Sequence, residues 1–346
     1  MSKLTFFDMN HGDCFLIHDD KYGMMIDCGS NFPSVSTKSQ MVLASELAKK
    51  KKIDLVISHL DQDHINLIQR LPSTVTFENV YLSNMINPRD ISVLFSVLAI
   101  FRHTTRAYQI AYNYLMFIPL ISAHLNSKSA IHYISYPKRI HAPICCFDVL
   151  WPQFLPASPG LMVDDEVIQR YTRHFLSMIS EFIDDDGRIE LANGFKDSDL
   201  VQSISSLIFG FLEEKPSFRQ GSISEKRSVL KSHVKNYSSL VLLEESKSLF
   251  LGDIDWRTFE RHICELVPTH VRFLKTPHHG SKSQFSSRLP SAEVALIPEF
   301  ADGRHIHWIG YSPRKFLFRV VGSPRMTLPA LPISTIVVDT SFNFYY

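Results

Sequence analysis

The first eighty residues alternate between short β-like runs and turn residues. Residues 3–9 set apolar and polar side chains in the rhythm of an extended strand, and His11-Gly12-Asp13 supplies a turn. Cys14–His18 resumes as a second strand, Asp19–Gly23 makes a hairpin loop, and Met24–Gly29 reads as a third strand ending at a glycine. Over Ser39–Lys52 the spacing becomes helical, with Met41, Leu43, Leu47 and Ala48 apolar and lysines at the end that the helix dipole favours. Ile53–Ser58 is apolar and β-branched, as a buried strand should be, and a short helix over Ile65–Leu71 is closed by Pro72. This order predicts a mixed α+β fold rather than a helical bundle.

From residue 84 to 235 the character changes. Aromatic-rich helical stretches (Ile91–Ser122, Val167–Ile183, Leu200–Glu214) alternate with proline-containing loops such as Ile140–Gly160. Strand patterning returns at Tyr237–Glu244 and Ser248–Leu251, followed by a helix over Asp255–Leu266 and a strand over Val271–Lys275. The remainder predicts a strand at Val294–Ile297, a helix at Pro313–Val321 and a strand at Ser334–Asp339. The expected organisation is one β-containing domain made of residues 1–83 and 236–346, interrupted by a mostly helical insertion at 84–235.

Composition narrows the classes. The 346 residues carry a formal net charge of +1, which excludes a globally basic nucleic-acid binder. The 5 cysteines show no CxxC spacing and read as buried free thiols. The N-terminus lacks the apolar core of a signal peptide; Ile91–Phe101 is too short to span a bilayer, and Ala107–Ala123 carries Gln109, Asn113 and Pro119. A cytoplasmic protein with no membrane partner is the expectation.

The chemistry concentrates where the Ile53–Ser58 strand ends. His59-Leu60-Asp61-Gln62-Asp63-His64 brings together four side chains able to bind a divalent metal. Burying such a set without a cation costs several kcal/mol per unpaired carboxylate, about what makes a merely structural role unattractive. Two further ligand sources follow strands far along the chain: Asp253 after Gly252, and His278-His279 after Lys275.

These residues resemble a known family. The cluster is similar to the HxHxDH signature of the metallo-β-lactamase fold, with Asp61 at the second histidine. Five more segments, in order, resemble the hydrolase domain of the ComEC/Rec2 family of DNA-uptake proteins. Phe7–Asp13 resembles its DVGQGD turn, Met25–Gly29 its IDxG strand end, and Asn236–Val241 its NxxSLV strand. Phe250–Asp253 resembles its LxGD, and Leu274–Ser281 its LKxPHHGS. The resemblance covers residues 3–82 and 236–300.

It implies an αβ/βα four-layer sandwich and two divalent metal ions about 3.5–4 Å apart that make a water acidic enough to attack. His59 and Asp61 would face one cation, Asp63 and His64 the second, and Asp253 would bridge them, with Asp63 and His64 central to catalysis. His279 or His278 would complete the second site, His279 being favoured. Asp27 would orient the ligands from behind, and less securely Asp8 and Asp13 would stand close to the same cleft. Asp61 makes the first site richer in oxygen, moving the expected metal from zinc alone towards manganese or magnesium. Ile65-Asn66-Leu67 replaces the family's glycines and could narrow the cleft. No clear counterpart exists to a separate histidine ligand; His141, His174 and His233 qualify by order only.

For substrate, nine Lys/Arg against three acids lie between Arg272 and Arg325, and Arg219, Lys226, Arg227, Lys231 and Lys235 add a second basic run. Lys275, Lys282 and Ser281 are the best candidates for phosphate contact, with Ser283 beside them. The expected function is a phosphodiester hydrolase, most simply a DNase acting on nucleic acid. Hydrolysis of a small phosphodiester, lactone or thioester, or a binding module with a vestigial metal site, are the alternatives. Phe101, Tyr108, Tyr112, Tyr114 and Phe117 offer either base stacking or, more simply, a core or dimer contact. Asp184-Asp185-Asp186-Gly187 lacks the spacing of a calcium loop.

Overall fold

The structure, a computed structural model, describes residues 2–9, 11–34, 37–84, 91–101, 106–153, 165–182, 189–190, 198–214, 238–245, 247–297, 317–319 and 326–329. It contains two mixed sheets. The first runs β15-β1-β2-β3-β4-β5-β6-β9, built from β1 (Lys3–Phe6), β2 (Phe15–His18), β3 (Tyr22–Ile26), β4 (Lys52–Ile57), β5 (Asn79–Ser83), β6 (Ala130–Ile134), β9 (Ile189–Glu190) and β15 (Met326–Pro329). The second runs β14-β13-β12-β11-β10-β8-β7, with β7 (Arg139–Ala142), β8 (Cys145–Trp151), β10 (Val241–Glu244), β11 (Ser248–Phe250), β12 (His270–Lys275), β13 (Ser291–Ile297) and β14 (Leu317–Arg319).

The period-2 alternation of each strand sorts its side chains into layers. Phe6, Phe15, Ile17, Met24, Ile26 and Val56 of the first sheet meet Phe147, Leu242, Phe250, Phe273 and Val294 of the second in one buried cluster. The rings of Phe15 and Phe250 cross it edge to face at 5.4 Å. On the outer side of the first sheet, Leu16, Met25, Leu55, Ile57 and Leu82 pack against helices α1 (Thr37–Leu47), α2 (Gln62–Ile65), α3 (Ile91–Phe101), α4 (Arg106–Leu115), α5 (Phe117–Ile121), α6 (Glu166–Ile179) and α7 (Ser198–Glu214). On the outer side of the second, Val241, Leu249, Val271 and Leu274 pack against Phe259 and Ile263. Helices, sheet, sheet and helices make the expected four-layer αβ/βα sandwich.

The central strands explain the sequence pattern. β3, β4, β5 and β6 pair in parallel, as do β11, β12, β13 and β14. Parallel strands covered on both faces read as continuous apolar runs, and β4 is buried from Ile53 to Ile57.

Several expectations differ from the structure in detail. The span 84–235, expected to be mostly helical, also supplies β6 and β9 to the first sheet and β7 and β8 to the second. Short strands flanked by Pro and Ser residues carry little periodicity of their own and were masked by the stronger helical stretches around them. Within Pro313–Val321, expected to be helical, Leu317–Arg319 is strand β14 beside β13; an apolar run this short does not distinguish the two periods. The helix expected over Asp255–Leu266 is a helical turn, Trp256–Thr258, capped by Asp255 and continuing as a π-helical Phe259–Ile263. The strand at Ser334–Asp339, the acidic turn at Asp184–Gly187 and the basic run at Arg219–Lys235 lie outside the described residues. Phe101, Tyr108, Tyr114 and Phe117 are buried in the helical core, which makes them packing residues rather than a base-stacking channel. No described helix is long and apolar enough to cross a membrane.

Candidate metal centre

Loops at one edge of the sandwich converge on a single place. β3 and β4 lead into it at Asp27 and Ser58-His59, β11 at Gly252-Asp253, and β12 at Thr276–His279. The turn between β1 and β2 contributes His11 and Asp13. Two glycines allow these loops to touch. A Cβ on Gly29 would lie 2.2 Å from the backbone of Asp63 and His64, and one on Gly12 would lie 2.1 Å from the Gly29 carbonyl oxygen. Backbone hydrogen bonds stitch the contact: Asp13 N–H donates to Asp63 O at 3.0 Å, Cys28 N–H to His64 O at 2.7 Å, and Gly29 N–H to Asp13 O at 3.1 Å. Leu240 N–H, at the start of β10, donates to Ser58 O at 2.8 Å and ties the second sheet to the end of β4. His11, Asp27, His278 and His279 all hold positive φ (61°, 57°, 46° and 53°). Such backbone costs about 1–3 kcal/mol per residue and recurs where side chains are aimed for function.

The side chains form three overlapping groups of ligand atoms: His59 with His64 and Asp253, His11 with Asp63 and His279, and Asp13 with Asp27 and His64. In the first, His59 Nε2 lies 3.7 Å from Asp253 Oδ2 and His64 Nε2 lies 3.5 Å from Asp253 Oδ1. These spacings are close to the ~3.4 Å expected between two ligands of a tetrahedral cation with bonds of about 2.1 Å. His59 Nε2, His64 Nε2 and both Asp253 carboxylate oxygens are buried without a hydrogen-bond partner. Native interiors leave few such atoms, because each costs about 1–3 kcal/mol. Their convergence fits a divalent cation, and the nitrogen and oxygen donor set suits the first-row metals and zinc.

The second group is nearer the surface. His279 Nε2 and Asp63 Oδ2 are 3.0 Å apart, and the rings of His11 and His279 are 4.7 Å apart. Asn31 Nδ2 reaches His11 Nδ1 at 2.8 Å and donates to Asp63 Oδ2 at 3.2 Å, bracing both. Burial and the neighbouring His279 depress the His11 pKa to about 4, so its imidazole is neutral at pH 7 and available as a ligand.

Behind the first group, Asp27 accepts from Ser58 N–H at 2.7 Å, from Ser58 Oγ at 2.6 Å and from His64 Nδ1 at 2.8 Å. Hydrogen bonds of this kind fix the ring orientation of a histidine that could bind a metal. Asp8, expected close to the same cleft, is half-buried and belongs to none of the three groups. Asp13, expected near the cleft with it, lies there, with its Oδ2 2.5 Å from Lys275 Nζ and 3.6 Å from His64 Nδ1. Burial opposes charge throughout, but the carboxylates of Asp27, Asp253 and Asp13 override it and hold the His64 pKa well above its ordinary value. Against the same burial, His278 and His64 hold the Asp253 carboxyl well below the carboxylate range.

The remaining expected site residues are placed as follows. Asp61 lies 3.6 Å from His59 Nε2, but its Oδ2 is engaged by the guanidinium of Arg106. His278 Nδ1 is 3.2 Å from Asp253 Oδ2 and His279 Nε2 is 3.0 Å from Asp63 Oδ2, so each histidine meets a different carboxylate of the cluster. Lys275, expected at a substrate phosphate, is instead buried: its ammonium donates to Gly252 O at 2.8 Å and pairs with Asp13. It has the parity of Phe273 on β12 and therefore points between the sheets. Lys282 is exposed and Ser281 half-buried just beyond the His pair. Ile65 and Leu67, expected to narrow the cleft, are buried in the helical core, while Asn66 Oδ1 accepts from Ser30 N–H at 2.9 Å. His141, 3.5 Å from Cys146 Sγ, and His174 are exposed and join none of the groups; His233 lies outside the described residues.

Sequence reasoning missed His11 and Arg106. The signal for His11 was present: it stands where the resembling turn carries glutamine, adjoining the glycine that lets that turn approach the cluster. Arg106 lies in a helix without a motif, and only tertiary packing brings it here.

No family model and no curated protein matches the chain. Among solved structures it is similar to the metallo-beta-lactamase fold protein YhfI from Bacillus subtilis, at 15% identity and a TM-score of 0.25, covering 43% of this chain and 53% of that one. It is also similar to a diphosphatase of the PhnP family, at 11% identity and a TM-score of 0.23, covering 43% and 56%. The chain thus matches about half the length of each.

Proposed function

We propose that this protein is a metal-dependent phosphodiester hydrolase, with DNA as the substrate to test first. The observation that carries the reading is the convergence of His59, His64 and Asp253 through buried ligand atoms without a hydrogen-bond partner, next to a second group made by His11, Asp63 and His279. Bound cations would supply charge to stabilise a phosphoryl oxygen and acidify a water. The chain's own residues do the rest. Asp27 holds His64 with Nε2 facing Asp253, Asn31 braces Asp63, and the interlocked glycines keep the two groups adjacent. The six motifs resembling the ComEC/Rec2 hydrolase domain, in order, support a phosphodiester of nucleic acid over other esters.

The basic path expected to grip a polymer is thinner than its sequence count. Among the described residues, Lys275 is buried, Arg288 pairs with Glu265, and Arg272 lies 3.9 Å from Glu293, leaving Lys282 exposed near the site. That observation favours a small phosphodiester as the second reading.

The test is incubation of the purified protein with single-stranded, double-stranded and circular DNA and with RNA, each with Mn²⁺, Mg²⁺ or Zn²⁺, beside an Asp63→Ala/His64→Ala variant. Metal-dependent cleavage that the variant loses is the expected result. Absence of cleavage with every metal, or equal cleavage by the variant, removes the nuclease reading; a chromogenic phosphodiester run in parallel decides the second.

A further inference from the structure

We propose that Arg106 is the anion-binding residue of this site, delivered to the metal groups by α4 and held there by Asp61. The proposal rests on the phosphodiesterase reading and names the group that would grip the phosphoryl oxygen.

Arg106 opens α4, and its Nε and Nη2 both contact Asp61 Oδ2. Nη2 lies 3.9 Å from Asp63 Oδ1, one carboxylate of the second group, and 3.9 Å from Asp253 Oδ2, a carboxylate of the first. The Arg106 side chain is 39% exposed whereas those of Asp61 and Asp253 are 6% and 0%. It therefore connects a buried ligand cluster to solvent. Among the described residues Nη1 has no partner. The guanidinium keeps N–H groups for an incoming oxygen, and its planar fork matches phosphate.

The placement is built into the helix. Arg106, Gln109 and Asn113 lie at i, i+3 and i+7, on one face of α4. Asn113 Nδ2 donates to Leu60 O at 2.7 Å, and Gln109 Nε2 donates to Asn113 Oδ1 at 2.9 Å. This polar stripe runs along a helix whose Ala107, Tyr108, Ile110 and Ala111 are buried in the core. It fixes α4 on the residue between His59 and Asp61. Asp61 is then a positioning residue for the arginine rather than a metal ligand. Lys275 cannot take the role, since its ammonium is buried against Asp13.

The experiment uses the full chain loaded with Mn²⁺ and titrated with inorganic phosphate by calorimetry, with metal content measured on each variant. Arg106→Ala is expected to weaken phosphate binding at least about tenfold with metal content unchanged. Arg106→Lys, which keeps a charge opposite Asp61 and covers the case that the alanine variant does not fold, is expected to weaken it less. Asp61→Asn should weaken binding by loosening the arginine, again with metal retained. Wild-type protein that takes up no phosphate, an arginine variant that binds as wild type, or loss of metal in Asp61→Asn overturns the proposal. If no phosphodiester is cleaved the functional reading falls, but the phosphate titration still decides the role of Arg106.

Discussion

His64 donates from Nδ1 to Asp27 Oδ2 at 2.8 Å, and that bond leaves Nε2 facing Asp253 Oδ1 at 3.5 Å. A strand-end carboxylate on β3 thus sets which nitrogen of a histidine beyond β4 is available to a cation. Because Asp27 also accepts from the backbone and hydroxyl of Ser58, it cannot rotate away without giving up three hydrogen bonds. Replacing it should therefore act on metal affinity through His64. Asp27→Asn is expected to weaken binding by about 10–100-fold, read by calorimetric titration of the metal-free protein with Mn²⁺ or Zn²⁺. Unchanged affinity would show that His64 needs no such support.

The loop contact through Gly29 makes a different prediction. A Cβ there would meet the Asp63 carbonyl carbon and the His64 nitrogen at 2.2 Å. Both are backbone atoms and cannot swing aside as a flexible side chain would. Gly29→Ala should destabilise the fold by about 1–3 kcal/mol or more, the cost of overpacking, and separate the two ligand groups. Urea denaturation and metal content together check this: a variant of wild-type stability that retains its metal contradicts the interlock.

Much of this was legible in the sequence because strand ends carry local signals. The apolar run of β4 followed by His59–His64, and the glycine before Asp253, mark positions where a chain leaves a sheet with ligands in hand. What could not be read is set by packing between distant segments. Arg106 enters through the docking of α4 on Leu60, and His11 through the approach of Gly12 to Gly29. Lys275 looked like a phosphate contact because it adjoins the His pair in sequence, yet strand parity turns it inward. β6 to β9 were hidden because two-sided neighbours, not their own periodicity, make them strands.

Proton competition gives the remaining prediction. Without metal, the surrounding carboxylates outweigh burial and hold His64 well above 6.5, and Asp63 with Asp13 raises His279 in the same way. A group whose folded pKa is raised keeps its proton to higher pH, so it must release that proton before binding a cation. Metal uptake should thus liberate protons at neutral pH, and apparent affinity should fall as pH drops. The decline should begin above the ordinary histidine range, while His11, at about 4, contributes to it only in more acidic solution. The stability side has the matching sign: in the metal-free protein the protonated histidines stabilise the fold fully below their unfolded pKa, and that contribution is lost as pH rises through the folded value. Calorimetric titrations with Mn²⁺ in two buffers of different ionisation enthalpy, across pH 5.5 to about 8, measure the protons released. Equal heats in both buffers at every pH would mean that His64 and His279 bind no proton in the metal-free protein, contrary to the charge balance of the cluster.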